Sequence, residues 1–540
     1  MLFKKSLIGI SAGLLLVAAC GCKKVNTAEN SGLPLRNASI KNPVVTEGNW
    51  PIHCTFELDR EKCMTGKPED VFLLIKYAVP EQPVDSQNER PGLNLSLVLD
   101  RSGSMSEQNK IGYVQNAAGY VVDKMIDKDK LGIVDYDDVI RHLWPLSEVK
   151  SVSMIKELIR SLYPRGSTNL CGGLMAGVDQ VQGAIDSNKV NRVILFSDGL
   201  ANTGITSAAE INKLVRKARQ SGLSVSTMGV GLYYNEDLLQ SIAESGGGKY
   251  YYIENPAQIE EIFREELHSL FKTVANNVTI EFNGNNCIDS IVILGYEANV
   301  NKNGALTSLG NVYSGQKGVL LMKLKIRLND VGRQPLGNIT FSFFDCKTKQ
   351  TRKQDVSFSI TGVKDSTEVL NSINKTAAAE ATLIVADNEH EEYVRQFERG
   401  DKVLAQQNLA SLQQKMETLN KDFSDIRIKN KIASIQMEKN EMETAEKSES
   451  NLQGYIKTSK QRFYYAKKGN RAKYLMQAGD SNYDVKKLQK KLSELHLYNG
   501  KIDGTFDERV KVAVEKYQKD NGIEVDGVAG PETLKKLGLY

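Results

Sequence analysis

Histidine is scarce here, and no two histidines are spaced to share a metal. The 540 residues hold five His, at His53, His142, His268, His390 and His496, with no HxH or HxxxH pair. Zinc peptidases and amidases need His ligands, and these dispersed histidines show none of the usual spacings. Seven Cys occur without a CxxC, which removes zinc-ribbon and thioredoxin-like readings. Net charge is also nearly absent. Lys+Arg 70 against Asp+Glu 66 leaves +4, too little for the electrostatic footprint of a nucleic-acid binder. After the first twenty residues no apolar run is long enough to cross a bilayer. No serine- or cysteine-nucleophile pattern is found, and together these absences point away from an enzyme. The 41% hydrophobic and 25% charged content is ordinary for globular protein. At about 150 residues per domain, the length predicts three to four domains.

What is present begins at the N-terminus. Met1 to Cys20 has a basic start (Lys4, Lys5), an apolar run from Leu7 to Ala19, and small residues before a cysteine. This is the pattern of a signal peptide over residues 1–19, too short and wrongly flanked for a spanning helix. The junction Val17-Ala18-Ala19-Cys20 resembles a bacterial lipobox. The resemblance implies cleavage before Cys20, a diacylglyceryl thioether on its sulfur and further acylation, and two or more chains anchor stably. Residues 20–42 then read as a flexible polar tether. Gly21 stands where the enterobacterial sorting rule places a retaining aspartate, so the expected location is the outer membrane, facing the periplasm. Export permits disulfides. Cys54–Cys63 and Cys287–Cys346 are the candidate pairs, with Cys22 and Cys171 left over and the connectivity open.

Residues 43–91 alternate polar and apolar side chains, as in His53-Cys54-Thr55-Phe56-Glu57-Leu58, and so do residues 273–362, as in Val278-Thr279-Ile280-Glu281-Phe282. Both read as strands. Between them, residues 92–272 alternate apolar strands with amphipathic helices: Leu93–Leu99, Leu131–Tyr136, Val190–Ser197, Leu223–Gly231 and Lys249–Ile253 are the strands. That order predicts a mostly parallel α/β sheet, inserted in an antiparallel β-sandwich built from the two flanking segments. Residues 363–478 read as helical, with Gly400 in the turn between two packed helices. Their end carries only basic charges (Lys457, Lys460, Arg462, Lys467, Lys468, Arg471, Lys473) interleaved with Tyr464, Tyr465 and Tyr474. This tract is either a solvated linker or helix face, or a contact for anionic lipid or wall polymer.

The α/β segment carries a candidate metal site. Its first strand ends in Asp100-Arg101-Ser102-Gly103-Ser104. Gly166-Ser167-Thr168-Asn169 opens a later helix, and another strand delivers Ser197-Asp198-Gly199. Asp100, Ser102, Ser104, Thr168 and Asp198 form a hard oxygen set that suits Mg²⁺ or Mn²⁺. In sequence and spacing these residues resemble the metal-ion-dependent adhesion site of the von Willebrand factor type A (VWA) domain, DxSxS, then Thr, then Asp. The likeness extends over about 180 residues, through "VSTMGVG" (Val225–Gly231) to Leu270. It implies a doubly wound α/β fold and a cation whose open position takes a carboxylate from a protein partner. Glu244–Tyr250, "ESGGGKY", lacks the first Gly and the Ser/Thr of a phosphate loop. Cys171 falls in the first turn of a helix. The flanking strands and helices further resemble bacterial VWA lipoproteins.

Residues 479–540 make a last compact unit. Val485, Leu488, Leu492 and Leu495 follow a helical period, Gly504 and Gly527 mark turns, and Pro531 opens a helix. With Leu488-Gln489, Ile502-Asp503-Gly504, Tyr517-Gln518 and Asp526-Gly527-Val528, the unit resembles the three-helix peptidoglycan-binding domain. Asp507 departs from that family's usual Gly. Asp503, Phe506, Tyr517 and Asp526 are the candidate peptidoglycan contacts. The whole reads as a lipid-anchored envelope scaffold that grips peptidoglycan and binds an envelope protein through a divalent metal. The alternative is an accessory or regulatory subunit of a wall-remodelling enzyme.

Overall fold

The computed structural model describes residues 44–45, 50–80, 92–186, 188–230, 234–253, 262, 266, 273–467, 476–480 and 483–539. The signal peptide, Cys20, Cys22 and the tether lie outside the described residues. No described helix is long and apolar enough to cross a membrane.

The α/β unit is a six-stranded sheet in the order Gly247–Ile253, Ser224–Val230, Lys189–Ser197, Gly92–Asp100, Lys130–Tyr136, Ile140–Glu148. The first five are mutually parallel, and Ile140–Glu148 runs antiparallel at the edge. That edge strand escaped the sequence reading because "IRHLWPLSE" carries a proline and no clean alternation; edges are where strand prolines are tolerated. Helices Lys110–Lys124 and Val152–Arg160 cover one face, where Leu93, Leu95, Leu97 and Leu99 lie. Helices Leu170–Gln182, Ala208–Gln220 and Glu236–Gly246 contribute to the core on the opposite face. Cys171 sits buried in the first turn of its helix. In the "ESGGGKY" stretch the glycines serve packing. A Cβ on Gly248 would come 2.1 Å from the Val225 carbonyl oxygen, so the turn from helix into strand closes only without a side chain.

The two β segments do form one sandwich. One sheet joins Val44–Val45, His53–Leu58, Pro68–Ala78, Lys317–Arg327 and Ile288–Leu294. The other joins Ala298–Val300, Gly304–Tyr313, Thr273–Gly284, Gly332–Asp345, Gln350–Val363 and Lys62–Met64. All pairings are antiparallel except Lys62–Met64 against Gln350–Val363. Phe56 and Ile75 from before the α/β unit share a core with Phe282, Phe341 and Phe358 from after it. Arg192, buried at the base of the α/β sheet, donates to Tyr313 Oη at 2.7 Å and Ser226 Oγ at 2.9 Å, tying the inserted unit to its host.

Neither candidate disulfide is formed. Cys54 and Cys63 lie in different sheets. Cys54 sits opposite Tyr77 toward one end of Pro68–Ala78, whereas Thr65, two residues past Cys63, bridges Leu328 at the other end. Cys287 follows the far end of Thr273–Gly284, while Cys346 bonds Val274 at its start. About ten extended residues, roughly 30 Å, separate that pair, well beyond disulfide reach.

Helices Lys375–Glu398, Lys402–Phe423, Ile426–Ala445 and Glu449–Lys467 form a bundle around Leu383, Phe397, Leu409, Met416, Ile435 and Phe463. Gly400, at φ +92°, ends the first helix and turns the chain into the second. Two residues of the basic tract depart from both of its sequence readings. Lys457 and Lys460 are buried and ion-paired with Glu236 of the α/β unit. A lysine followed by a lysine three residues on lies on one helical face, and here that face meets an acidic helix start instead of solvent or polymer. Residues 468–475 of the tract lie outside the described residues.

The C-terminal unit has helices Tyr483–Glu494, Glu508–Asp520 and Pro531–Lys536 around Val485, Leu488, Phe506, Val514 and Leu534. Asp507 has a role of its own as N-cap, its Oδ1 accepting from Val510 N at 3.0 Å.

Candidate metal centre

In the six-stranded sheet the chain order reverses direction between Gly92–Asp100 and Lys189–Ser197. Open α/β sheets place ligand sites in the crevice at the carboxyl ends of such strands. Asp100 closes the first of these strands and Asp198 follows directly after the last residue of the second, Ser197, and both are wholly buried.

Asp100 is held from three directions. Oδ2 accepts from Ser197 Oγ at 2.6 Å and from Tyr136 Oη at 3.1 Å; Oδ1 accepts from the Ser102 N–H at 2.9 Å. Ser102 Oγ and Ser104 Oγ are 3.2 Å apart, so the alternation in DxSxS does put both hydroxyls on the side of the loop that carries the carboxylate. The loop with Thr168 is laced to them: Gly103 N donates to Gly166 O at 3.1 Å and Arg165 N to Arg101 O at 2.8 Å. Thr168 itself is buried. Its N–H donates to Asn202 Oδ1 at 2.7 Å, and its carbonyl accepts from Asn202 N and Thr203 N. The loops holding the five predicted residues are therefore bonded into one cluster.

Asp198 is differently placed. Its Oδ2 takes Lys110 Nζ at 3.2 Å, and its buried Oδ1 accepts no hydrogen bond. Its backbone carbonyl accepts from Asn235 N at 3.0 Å. Gly199 follows at φ +67°, where a Cβ would come 3.0 Å from the Asn235 carbonyl oxygen; only glycine fits that close approach. Burial, and then the neighbouring Asp198 charge, push the Asp100 carboxyl up to about 6. A buried anionic pocket with two carboxylates, two hydroxyls close together and one carboxylate oxygen lacking a donor is short of positive charge. These residues fit a hard divalent cation such as Mg²⁺ or Mn²⁺.

Sequence reasoning missed Ser197 and Tyr136, which orient Asp100, and Lys110, which pairs with Asp198. It also passed over Arg101. That side chain is buried in ion pairs with Asp135 at 2.6 Å and Asp137 at 2.8 Å, with Arg165 on Asp137 at 2.7 Å. This ring pins the metal loop to the neighbouring strand end. A charged residue between ligand positions could have flagged it, since a buried strand end leaves such a side chain only buried partners.

In the C-terminal unit the four candidate contacts have other duties. Phe506 and Tyr517 are core residues. Asp503 and Asp526 build turns. Gln489 Nε2 donates to Asp503 Oδ1 at 3.1 Å while its Oε1 accepts from Gly504 N at 2.7 Å. Gln518 repeats this on Asp526 Oδ1 at 2.7 Å and Gly527 N at 3.0 Å. Each glutamine latches one Asp-Gly turn, a duplication that explains why both motifs look alike in sequence.

Residues 94–265 match the family model described as "von Willebrand factor type A domain", and residues 481–537 match "Putative peptidoglycan binding domain". The chain is 33% identical over 198 residues to the uncharacterized protein YfbK of Escherichia coli (strain K12), covering 36% of this chain and 34% of that protein; it thus spans about a third of that relative's length. Among solved structures, a von Willebrand factor type A protein from Catenulispora acidiphila superposes with TM-score 0.54 at 17% identity, covering 70% of this chain and 90% of that one. The ArnB paralog VWA2 from Sulfolobus acidocaldarius gives 0.51 at 19% identity, covering 76% and 98%. At such identities the likeness is one of fold. The chain therefore carries a VWA domain of α/β fold with additional sheets. A helical C-terminal region follows, ending in the stretch that matches the peptidoglycan-binding model.

Proposed function

We propose that this protein is a cell-envelope scaffold: lipid-anchored at Cys20 in the outer membrane facing the periplasm, gripping peptidoglycan through residues 479–540, and binding an envelope protein through a divalent cation at the VWA site. The observation that carries the reading is the buried Asp100/Asp198 pair beside Ser102 and Ser104, with Asp198 Oδ1 lacking a donor, in a chain that also matches a peptidoglycan-binding model. Asp100, Ser102, Ser104, Thr168 and Asp198 would hold Mg²⁺ or Mn²⁺. A cation there supplies an open coordination position for a partner's carboxylate oxygen. The protein's own part is preorganisation. Ser197, Tyr136 and the Ser102 N–H orient Asp100, and the ion pairs of Arg101 with Asp135 and Asp137 tie the loop to the neighbouring strand end.

The test is capture from crosslinked envelopes with the full chain, in Mg²⁺ and in EDTA, beside Asp100→Ala. A partner retained in Mg²⁺ and lost in both other arms supports the reading; identical capture in all three sinks the metal-dependent part. Co-sedimentation with purified peptidoglycan, with and without residues 479–540, tests the wall grip separately.

A further inference from the structure

Lys110 is the first residue of helix Lys110–Lys124, and its side chain is 1% exposed. A buried ammonium is tolerated only when paired. Its partner is Asp198, at 3.2 Å; Glu107 lies farther off at 3.7 Å and is largely in solvent. The backbone that delivers it is unusual. At the end of the 3-10 segment Gly103–Asn109, directly before the helix, Gln108 (φ 50°) and Asn109 (φ 58°) are both left-handed, a conformation that costs Gln108 in particular. Two such residues in a row beside a candidate ligand cluster are strain held in place by surrounding contacts. Their effect is to swing the helix start so that Lys110 reaches back into the site.

We propose that Lys110 is a resident competitor for the cation at Asp198: it compensates the carboxylates when no metal is bound and sets how tightly a metal binds. The inference rests on the metal-binding reading above. A divalent ion using Asp198 Oδ1 shares one carboxylate with the Lys110 ammonium on Oδ2, and like charges that close repel strongly where water is excluded. Metal entry therefore works against Lys110, or drives it toward Glu107 and solvent. A partner's carboxylate, arriving with its own negative charge, lowers that cost. On this account the site is a weak metal binder by itself and a stronger one in the presence of its partner. Glu107, exposed at the mouth of the site, offers the displaced ammonium an alternative neighbour.

The experiment is calorimetric titration of the full chain with MnCl₂, for wild type, Lys110→Met and Lys110→Arg, with melting in EDTA alongside. Removing the ammonium should lower the Mn²⁺ dissociation constant by about tenfold or more and lower the EDTA melting temperature, because Asp198 loses its counter-charge. Lys110→Arg, which keeps the charge, should stay near wild type. Should Lys110→Met not fold, Lys110→Gln serves in its place. Equal or weaker Mn²⁺ binding in the neutral variant overturns the proposal while leaving the metal site standing. Wild type and variants that all ignore Mn²⁺ overturn the metal reading itself, and this proposal with it.

Discussion

Lys460 Nζ lies 2.8 Å from Glu236 Oε1, with both side chains buried, and it also reaches Asp237 and Glu398. Lys457 Nζ meets the other Glu236 oxygen and stacks 4.2 Å over the Tyr234 ring. Glu236 begins the helix that Asn235 caps, and the Asn235 N–H holds the Asp198 carbonyl. One residue thus separates the bundle's grip on the VWA domain from the backbone of the metal loop. Burial would raise the Glu236 carboxyl, but the two lysine charges outweigh it and hold it below its ordinary value.

Breaking that clamp on one side should be costly. Lys460→Met leaves Glu236 and Glu398 with less positive charge in a buried setting, and about 3 kcal/mol of stability should be lost. Adding Glu236→Gln should return part of it. A double-mutant cycle from denaturant melts, following the bundle and the α/β unit together, measures the coupling; additive losses would mean Lys460 and Glu236 do not act as a unit.

Mg²⁺ or Mn²⁺ should raise the melting temperature of the full chain, worth about 2.7 kcal/mol at a hundred times the dissociation constant. Ser102→Ala with Ser104→Ala should erase the response. Asp100→Ala should also melt lower than wild type in EDTA, since Ser197, Tyr136 and the Ser102 N–H all lose their acceptor, at about 1–3 kcal/mol. Differential scanning with and without EDTA reads all three.

Gln489→Ala and Gln518→Ala should each release an Asp-Gly turn and strand the bonded backbone groups, at roughly 2 kcal/mol apiece. If the grip on peptidoglycan needs these turns, co-sedimentation should fall in step with the loss of folded C-terminal unit. Either variant melting as wild type does would show that the latch carries no stability.

Burial pushes the Asp480 carboxyl up to about 6, against a hydrogen bond from Gln477 N and the Lys317 charge. A carboxyl raised on folding contributes stability below its unfolded pKa, and that stability is lost as pH rises through about 6. Asp480→Asn should therefore stabilise the protein at pH 8 by about 1–2 kcal/mol, allowing for partial exposure, and make no difference near pH 4. Paired melts at the two values decide it.

Cys54, Cys63, Cys171, Cys287 and Cys346 should all alkylate in denaturant without reductant, shown by intact mass. In the folded state Cys346 should react slowly, because burial lifts its thiol to about 11. A Cys287–Cys346 bridge found by peptide mapping would contradict the strand register.

The sequence by itself determined the local and periodic features. Alternation in His53–Leu58 and the apolar runs at Val190–Ser197 are dictated by which faces a strand must bury, and DxSxS places two hydroxyls beside a carboxylate over five residues whatever the rest of the chain does. Gly400 and Pro531 punctuate helices for reasons carried by their own backbones. Tertiary structure decided everything that depends on a neighbour distant in sequence. Lys110 becomes the partner of Asp198, 88 residues on, only because strand pairing brings the loops together. Lys457 and Lys460 pass for solvated charge until a helix more than 220 residues earlier presents carboxylates to them. Cys287 and Cys346 look matched in composition, yet one β-strand's length holds them apart. Charge pairing and disulfide reach act over a few ångström, whereas spacing along the chain fixes no such distance once the chain has folded across itself.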